Sequence, residues 1–173
     1  MYEKILVATD GSSCGNRAIN AAANLAAKYD AELTVVHVLM HGAPPESLSH
    51  MAEIEHLVDA HPDAGVAFNN VPALAMSVAD MQRNRVEHAV IEAIGKKVLE
   101  RALDAARDAG APKVSGHVQE GGTADKIIEA SREKNANLIV MGCRGLSPLK
   151  RILMGSVSQK VAQLAECACL IVR

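Results

Sequence analysis

The chain has 173 residues, enough for one domain that buries a full core without disulfide staples. It is 49% apolar but only 2% aromatic, with no Trp, which excludes an aromatic stacking platform for single-stranded nucleic acid. A formal net charge of −2 leaves no basic footprint for duplex nucleic acid, and no apolar run approaches the roughly 20 residues of a membrane span.

In chain order, Met1-Tyr2-Glu3-Lys4 leads almost at once into an apolar strand, so no signal peptide is expected before the fold. The strand-like runs are Lys4–Ala8, Leu33–Val38, Val114–Val118, Leu138–Met141 and Cys169–Val172. Helical stretches rich in Ala fall between them, near Asn16–Lys28, Arg85–Ala109, Ala124–Lys134 and Ser156–Ala165. Strands alternating with helices predict a parallel sheet covered by helices. The first, fourth and fifth runs are almost continuously apolar, as strands buried on both faces require. The second helix carries Val90, Ile94, Val98 and Leu103 on one side and is stopped by Gly110, with Pro112 just beyond. Cys14, Cys143, Cys167 and Cys169 form neither a disulfide ladder nor a CxxC pair, so reduced thiols in a cytoplasm are expected.

The connection from Met40 to Asn84 is far longer than an ordinary βα loop. It holds four of the six prolines, the only Phe and four of the seven histidines. Leu48, Met51, Ile54 and Val58 recur at helical spacing, as do Val71, Leu74, Val78 and Met81, predicting two short helices or a partly ordered flap. His41, His50, His56 and His61 have no recognised ligand spacing, and no metal is assigned to them.

Open parallel sheets bind ligands beyond the carboxyl ends of their strands. Strand one runs into Thr9-Asp10-Gly11-Ser12 and strand four into Gly142-Cys143-Arg144-Gly145, followed after nine residues by Gly155-Ser156. Glycines let backbone N–H groups approach a phosphate, and Ser156 sits where the first unpaired amides of a helix point outward. Lys150 and Arg151 add positive charge to the intervening loop. Neither G-x-x-x-x-G-K-[ST] nor G-x-G-x-x-G occurs, so this is neither a P-loop NTPase nor a dinucleotide fold by motif.

With Gly142, Gly145, Gly155 and Ser156 matching the pattern G-x2-G-x9-G-[ST], the chain resembles the ATP-binding branch of the universal stress protein family. The opening Lys4–Ser12 and the closing Cys169–Arg173 resemble that family's first and last strands, and the resemblance covers the chain except about 40–84. It implies a single domain over 1–173 with a long insertion at about 40–84 between strand two and helix two. The fold implied is α/β: an open five-stranded parallel sheet with helices on both faces, Rossmann-like and adenine nucleotide alpha hydrolase-like, strand order 3-2-1-4-5. It also implies that Asp10 bonds the ribose with Thr9 beside the adenosine, and that Val38 contacts the adenine. Met141, Gly142, Arg144 and Gly145 would line the ribose and first phosphates. Gly155, Ser156 and Val157 would hold the terminal phosphates of ATP with Mg²⁺ or Mn²⁺. Ala8 and Ala168 depart from prolines common in the family, which predicts altered loop stiffness and retained binding.

Micromolar affinity requires about 8 kcal/mol, and a charge at a helix N-terminus supplies only about 0.3–1 kcal/mol. Adenine burial at Val38 and a bond from Asp10 must therefore supply much of the rest. Asp10 is equally readable as an N-cap of the first helix, His37 as a core histidine, Cys143 as an unreactive loop thiol, and Cys167 and Cys169 as buried packing. Phosphoryl transfer needs a positioned base and extra cationic stabilisation, and no convincing base is present once Asp10 serves the ribose. The expectation is a nucleotide-responsive regulatory protein in stress response, with at most slow ATP hydrolysis and a regulatory protein as partner. Alternatives are a nucleotidyl-transferring or ATP-hydrolysing enzyme, disfavoured because HxGH and SGGxDS patterns are absent, and a nucleotide-free interaction protein. The final strand is expected to be an edge that pairs with its twin in a homodimer.

Overall fold

A computed structural model describes residues 2–39, 76–145 and 154–173, the stretch 76–87 by its backbone alone. The chain divides into two compact units, Met1–Met40 with Gly95–Arg173, and His41–Ile94. The first holds five strands and four stretches of helix among the described residues. These are β1 (Lys4–Ala8), α1 (Ser13–Tyr29), β2 (Glu32–Leu39), α2 (Met76–Asp108), β3 (Lys113–Glu120), α3 (Thr123–Glu133), β4 (Leu138–Gly142), α4 (Ser156–Leu164) and β5 (Ala168–Val172). Of α2, residues 95–108 belong to this unit.

The sheet is parallel throughout, as the alternation of elements predicts, and its order β3-β2-β1-β4-β5 is the one the family resemblance implies. Its centre explains the apolar runs of β1 and β4, whereas β5, expected to be buried on both faces, is an edge strand whose residues are only exposed or half-buried. Ile5 lies between Leu33 and Leu138, and Val7 between Val35 and Val140, so β1 has a covered neighbour on each side. Alternate residues then divide into two cores. Ile5, Val7, Leu33, Val35 and Val140 pack under Ala18, Ala22 and Ala26 of α1 and Ala102 and Ala106 of α2. Leu6, Val36, Val38, Ile139 and Met141 pack under Ile127 and Ile128 of α3 and Val161 of α4. Alanine on the contact faces lets the helices approach closely, and each fully buried Leu or Ile side chain contributes about 1.5–3 kcal/mol. Helices thus cover both faces. Gly116 of β3 serves the same closeness: a Cβ there would lie 2.9 Å from Leu99 and 3.0 Å from Leu103 of α2.

Two helices begin earlier than expected. α1 starts at Ser13 because the Ser12 hydroxyl accepts from the Gly15 N–H at 3.1 Å and caps it. α2 reaches back at least to Met76, the first described residue of that stretch, since no Gly or Pro interrupts the chain between there and Arg85. Val78 and Met81 therefore belong to the long helix; Val71, Leu74 and the expected helix at Leu48–Val58 lie outside the described residues. Gly110, at φ 89°, ends α2 as predicted. Among the described residues no helix is long and apolar enough to cross a membrane.

Candidate functional site

The chain fills the sheet from β1 through β2 to β3 on one side, then returns to place β4 and β5 on the other. The crevice at that reversal lies beyond the carboxyl ends of β1 and β4. After Ala8 the chain leaves the sheet in a tight turn. The Gly11 N–H donates to the Thr9 hydroxyl at 3.2 Å, and the Ser12 N–H donates to Asp10 Oδ1 at 3.0 Å. This turn needs φ 79° at Gly11, a value glycine adopts without steric cost. Ser12, not Asp10, caps α1, which leaves the Asp10 carboxylate turned toward the β4 exit. A Cβ at Gly145 would run into Asp10 Oδ2, and one at Gly15 would lie 3.1 Å from Oδ1. Thr9 is directed elsewhere: its hydroxyl lies 2.7 Å from where a Gly15 Cβ would be, buried against α1.

The two ends of the Gly142–Ser156 segment come together through one peptide. The Cys143 N–H donates to the Val172 carbonyl at 2.7 Å. The Cys143 carbonyl accepts from the Gly155 N–H at 2.7 Å and from the Ser158 hydroxyl at 3.2 Å. The start of α4 is thereby held against the exit of β4. Gly155 is the N-cap of α4 and has no side chain to accept from the amides of the first turn. Its conformation, φ −72° and ψ 157°, is open to any residue, and a Cβ would meet nothing nearer than Cys143 O at 3.4 Å. Glycine here is not demanded by the backbone. Its effect is to leave a bare, electropositive helix end facing the crevice. Beside it Arg144 carries a buried Nε with no hydrogen-bond partner among the described residues.

Gly142 has a different reason to be glycine. A Cβ there would sit 2.9 Å from both the carbonyl carbon and the Cβ of Cys14, so the first turn of α1 packs directly on the end of β4. Ser156 is exposed on the first turn of α4, Val157 is half-buried, and Ser158 is buried.

The floor toward β2 is apolar. Ala8, Val38 and Met141 belong to the core on the α3 and α4 side. The Thr9 N–H donates to the Val36 carbonyl at 3.0 Å, so the peptide groups of Val36 face β1. By the two-residue repeat of a strand, those of Val38 face the same way, above the point where β1 has ended. Val38 thus offers main-chain polar groups over an apolar floor.

His37 points to the other face. It is 3% exposed, its Nδ1 donates to the Thr9 carbonyl at 2.9 Å, and its ring lies under Gly95, whose Cβ would be 3.2 Å from Cδ2. Burial lowers its pKa, opposed by the bond to Thr9 and the charge of Asp10, so it is a neutral core histidine that supports the β1 exit from beneath. Cys143 is buried. Cys167 and Cys169 pack at the margin of the α3 and α4 core, and burial pushes both thiols up, Cys169 also feeling Cys167.

The structure brings together Asp10, Gly142, Arg144, Gly145, Gly155, Ser156 and Val157, with Val38 and Met141 as floor and Thr9 as a buried part of the turn. Lys150 and Arg151 lie outside the described residues. Sequence reasoning missed Gly15, Cys14 and Ser158. Only the last left a local signal, a serine in the first turn after the Gly-Ser pair.

A family model, "Universal stress protein family", matches residues 1–173. Universal stress protein YxiE of Bacillus subtilis (strain 168) is 34% identical over 175 residues, covering 100% of each chain. A universal stress protein of Methanocaldococcus jannaschii is 29% identical over 173 residues, 100% of this chain and 83% of that one. Among solved structures, a universal stress protein in complex with cAMP has a TM-score of 0.61 at 24% identity, over 99% of this chain and 97% of that one. One from Archaeoglobus fulgidus in complex with dAMP has a TM-score of 0.59 at 21% identity, over 99% and 98%. These two structures speak for the fold, and the match over the whole sequence speaks for descent: the chain belongs to the universal stress protein family.

Proposed function

We propose that this chain binds an adenine nucleotide, ATP foremost, in the crevice beyond β1 and β4, and works as a nucleotide-dependent switch in stress response. The observation that carries the reading is the uncapped start of α4 at Gly155, held by Cys143 beside the Nε of Arg144, which has no partner among the described residues. Unpaired amides, a helix dipole and a guanidinium converge there, the combination that binds phosphate. Asp10 bonds the ribose, with Thr9 shaping the turn that aims it, while the main chain of Val38 contacts the adenine over Met141. Gly142, Arg144 and Gly145 flank the first phosphates; Gly155, Ser156 and Val157 take the terminal ones. That relatives of the same fold were solved with cAMP and with dAMP supports an adenine ligand.

A divalent ion, Mg²⁺ or Mn²⁺, enters with the triphosphate. Among the described residues there is no group of three or more His, Cys, Asp or Glu to hold one, and the exposed Ser156 hydroxyl is the oxygen the chain offers next to the phosphates. Mg²⁺ suits such a site, since it binds through phosphates and keeps several waters. Hydrolysis is slow at most, because Asp10 is engaged in its own turn and His37 lies buried on the opposite face. Organisation as one domain with an insertion at about 40–84, and a cytoplasmic setting with a regulatory protein partner, complete the proposal.

Calorimetric titration with MgATP tests it. Micromolar binding that falls at least tenfold in Asp10→Ala is expected, and no binding by the native chain would overturn the reading. The same proposal includes a homodimer through β5, an edge strand that leaves Leu170 and the nearby Leu164 exposed. Light scattering showing a monomer at micromolar concentration would remove that part.

A further inference from the structure

Two buried side-chain atoms have no hydrogen-bond partner among the described residues, Gln119 Oε1 and Arg144 Nε. One is an acceptor and the other a donor, and both lie toward the carboxyl edge of the sheet. Gln119 is near the end of β3 and Arg144 is just past the end of β4, with β2 and β1 between them. Three strand spacings separate them, about 14 Å. An elongated ligand with a hydrogen-bond donor at one end and an anion at the other spans such a pair, and an extended adenine nucleotide has that form.

The orientation of Gln119 follows from the register. It stands beside Val38, and neighbours in a parallel pair project to the same face. Four residues earlier in the same ladder, the Thr34 and Ser115 hydroxyls approach to 3.4 Å, which shows the shared direction. Val38 belongs to the core on the α3 and α4 side, where α4 also begins. Gln119 therefore flanks the base floor on the face that carries the phosphate site. A buried amide oxygen left without a partner is costly, and such groups are normally satisfied by a ligand or water where protein supplies nothing.

We infer that Gln119 reads the base: its Oε1 accepts from the exocyclic 6-amino group of adenine and sets a preference for 6-amino over 6-oxo purines. Glutamine matches adenine by accepting from N6–H while its amide N–H₂ serves a ring nitrogen. Hypoxanthine presents an oxygen at that position, which Gln119 meets only by turning its amide so that N–H₂ donates to it, giving up the bond to the ring nitrogen and setting Oε1 against that acceptor. The inference rests on the nucleotide-binding reading above and goes beyond it in naming what distinguishes one base from another.

The test is calorimetric titration of the full chain and its Gln119→Leu and Gln119→Glu variants with MgATP and MgITP. The native chain is expected to favour ATP over ITP at least tenfold. Gln119→Leu should bind ATP about tenfold more weakly with ITP unchanged, and should melt no lower than the native chain, because it removes an unpaired buried acceptor. Gln119→Glu, which can only accept, should keep the ATP preference. No preference in the native chain, an unchanged ATP-to-ITP ratio in Gln119→Leu, or a lost preference in Gln119→Glu would each overturn the role of Gln119. Failure of the native chain to bind either nucleotide overturns the nucleotide reading itself, and this inference with it.

Discussion

The Asp10 carboxylate occupies the space that a side chain at position 145 would need, so a residue after the first strand and one after the fourth are matched across 135 positions of chain. The contact is specific: Oδ1 is held by the Ser12 N–H at 3.0 Å, and Oδ2 is the atom that faces Gly145. One substitution at either position therefore alters the same feature.

Gly145→Ala should displace the Asp10 carboxylate and weaken ATP binding about tenfold, as should Asp10→Ala. Because both remove one arrangement, the double variant should lose little more than the worse single, a coupling of at least about 1 kcal/mol. Calorimetry on the four proteins measures it; additive losses would show that Asp10 and Gly145 act independently.

Gly142→Ala tests packing. The added Cβ meets backbone and Cβ atoms of Cys14 at 2.9 Å, which cannot swing aside as the tip of a flexible side chain can. Overpacking of this kind costs about 1–3 kcal/mol. Urea unfolding should show the midpoint falling with no change in slope.

Gly155→Asp should separate stability from binding in the opposite sense. The site has room for a Cβ, and a carboxylate at the N-cap accepts from the first-turn amides, so stability should hold or rise by a few tenths of a kcal/mol. The same carboxylate fills and repels the phosphate position. ATP affinity should drop more than tenfold while the melting temperature does not, and a drop in both would assign Gly155 a structural role.

His37 makes the fold acid-sensitive. Burial holds its folded-state pKa below the ordinary value near 6.5, so protons bind the unfolded chain more readily. Its contribution is fully present above about pH 6.5 and is lost as pH falls below that toward the folded-state value, with a slope of at most about 1.4 kcal/mol per pH unit. His117, whose pKa is lowered by burial and by Lys134, acts in the same direction. Denaturant melts between pH 7.5 and 5 should show the decline. His37→Asn, which can still donate to the Thr9 carbonyl, should flatten it, and a His37→Asn curve parallel to the native one would contradict the assignment.

Residues 5–8 and 138–141 were legible as strands because burial on both faces leaves an uninterrupted apolar run, a property each segment carries by itself, whereas 168–172 is just as apolar and yet forms an edge, which its own composition does not reveal. The helix stop at Gly110 and the spacing of Gly142, Gly145 and Gly155 were legible for the same reason. Local sequence could not choose between Asp10 and Ser12 as the cap of α1, since both residue types cap well; the turn geometry chose Ser12. Nor could it say why each glycine is present. Gly142 is small for Cys14, Gly145 for Asp10, and Gly155 to leave a helix end uncapped. The chain's own periodicity determined which segments pack and which faces they bury. The order of strands decided which distant residues meet, and so placed Gln119 and Arg144 three strands apart at the carboxyl edge of one sheet, because those placements depend on how the strands stack and on nothing encoded within any one of them.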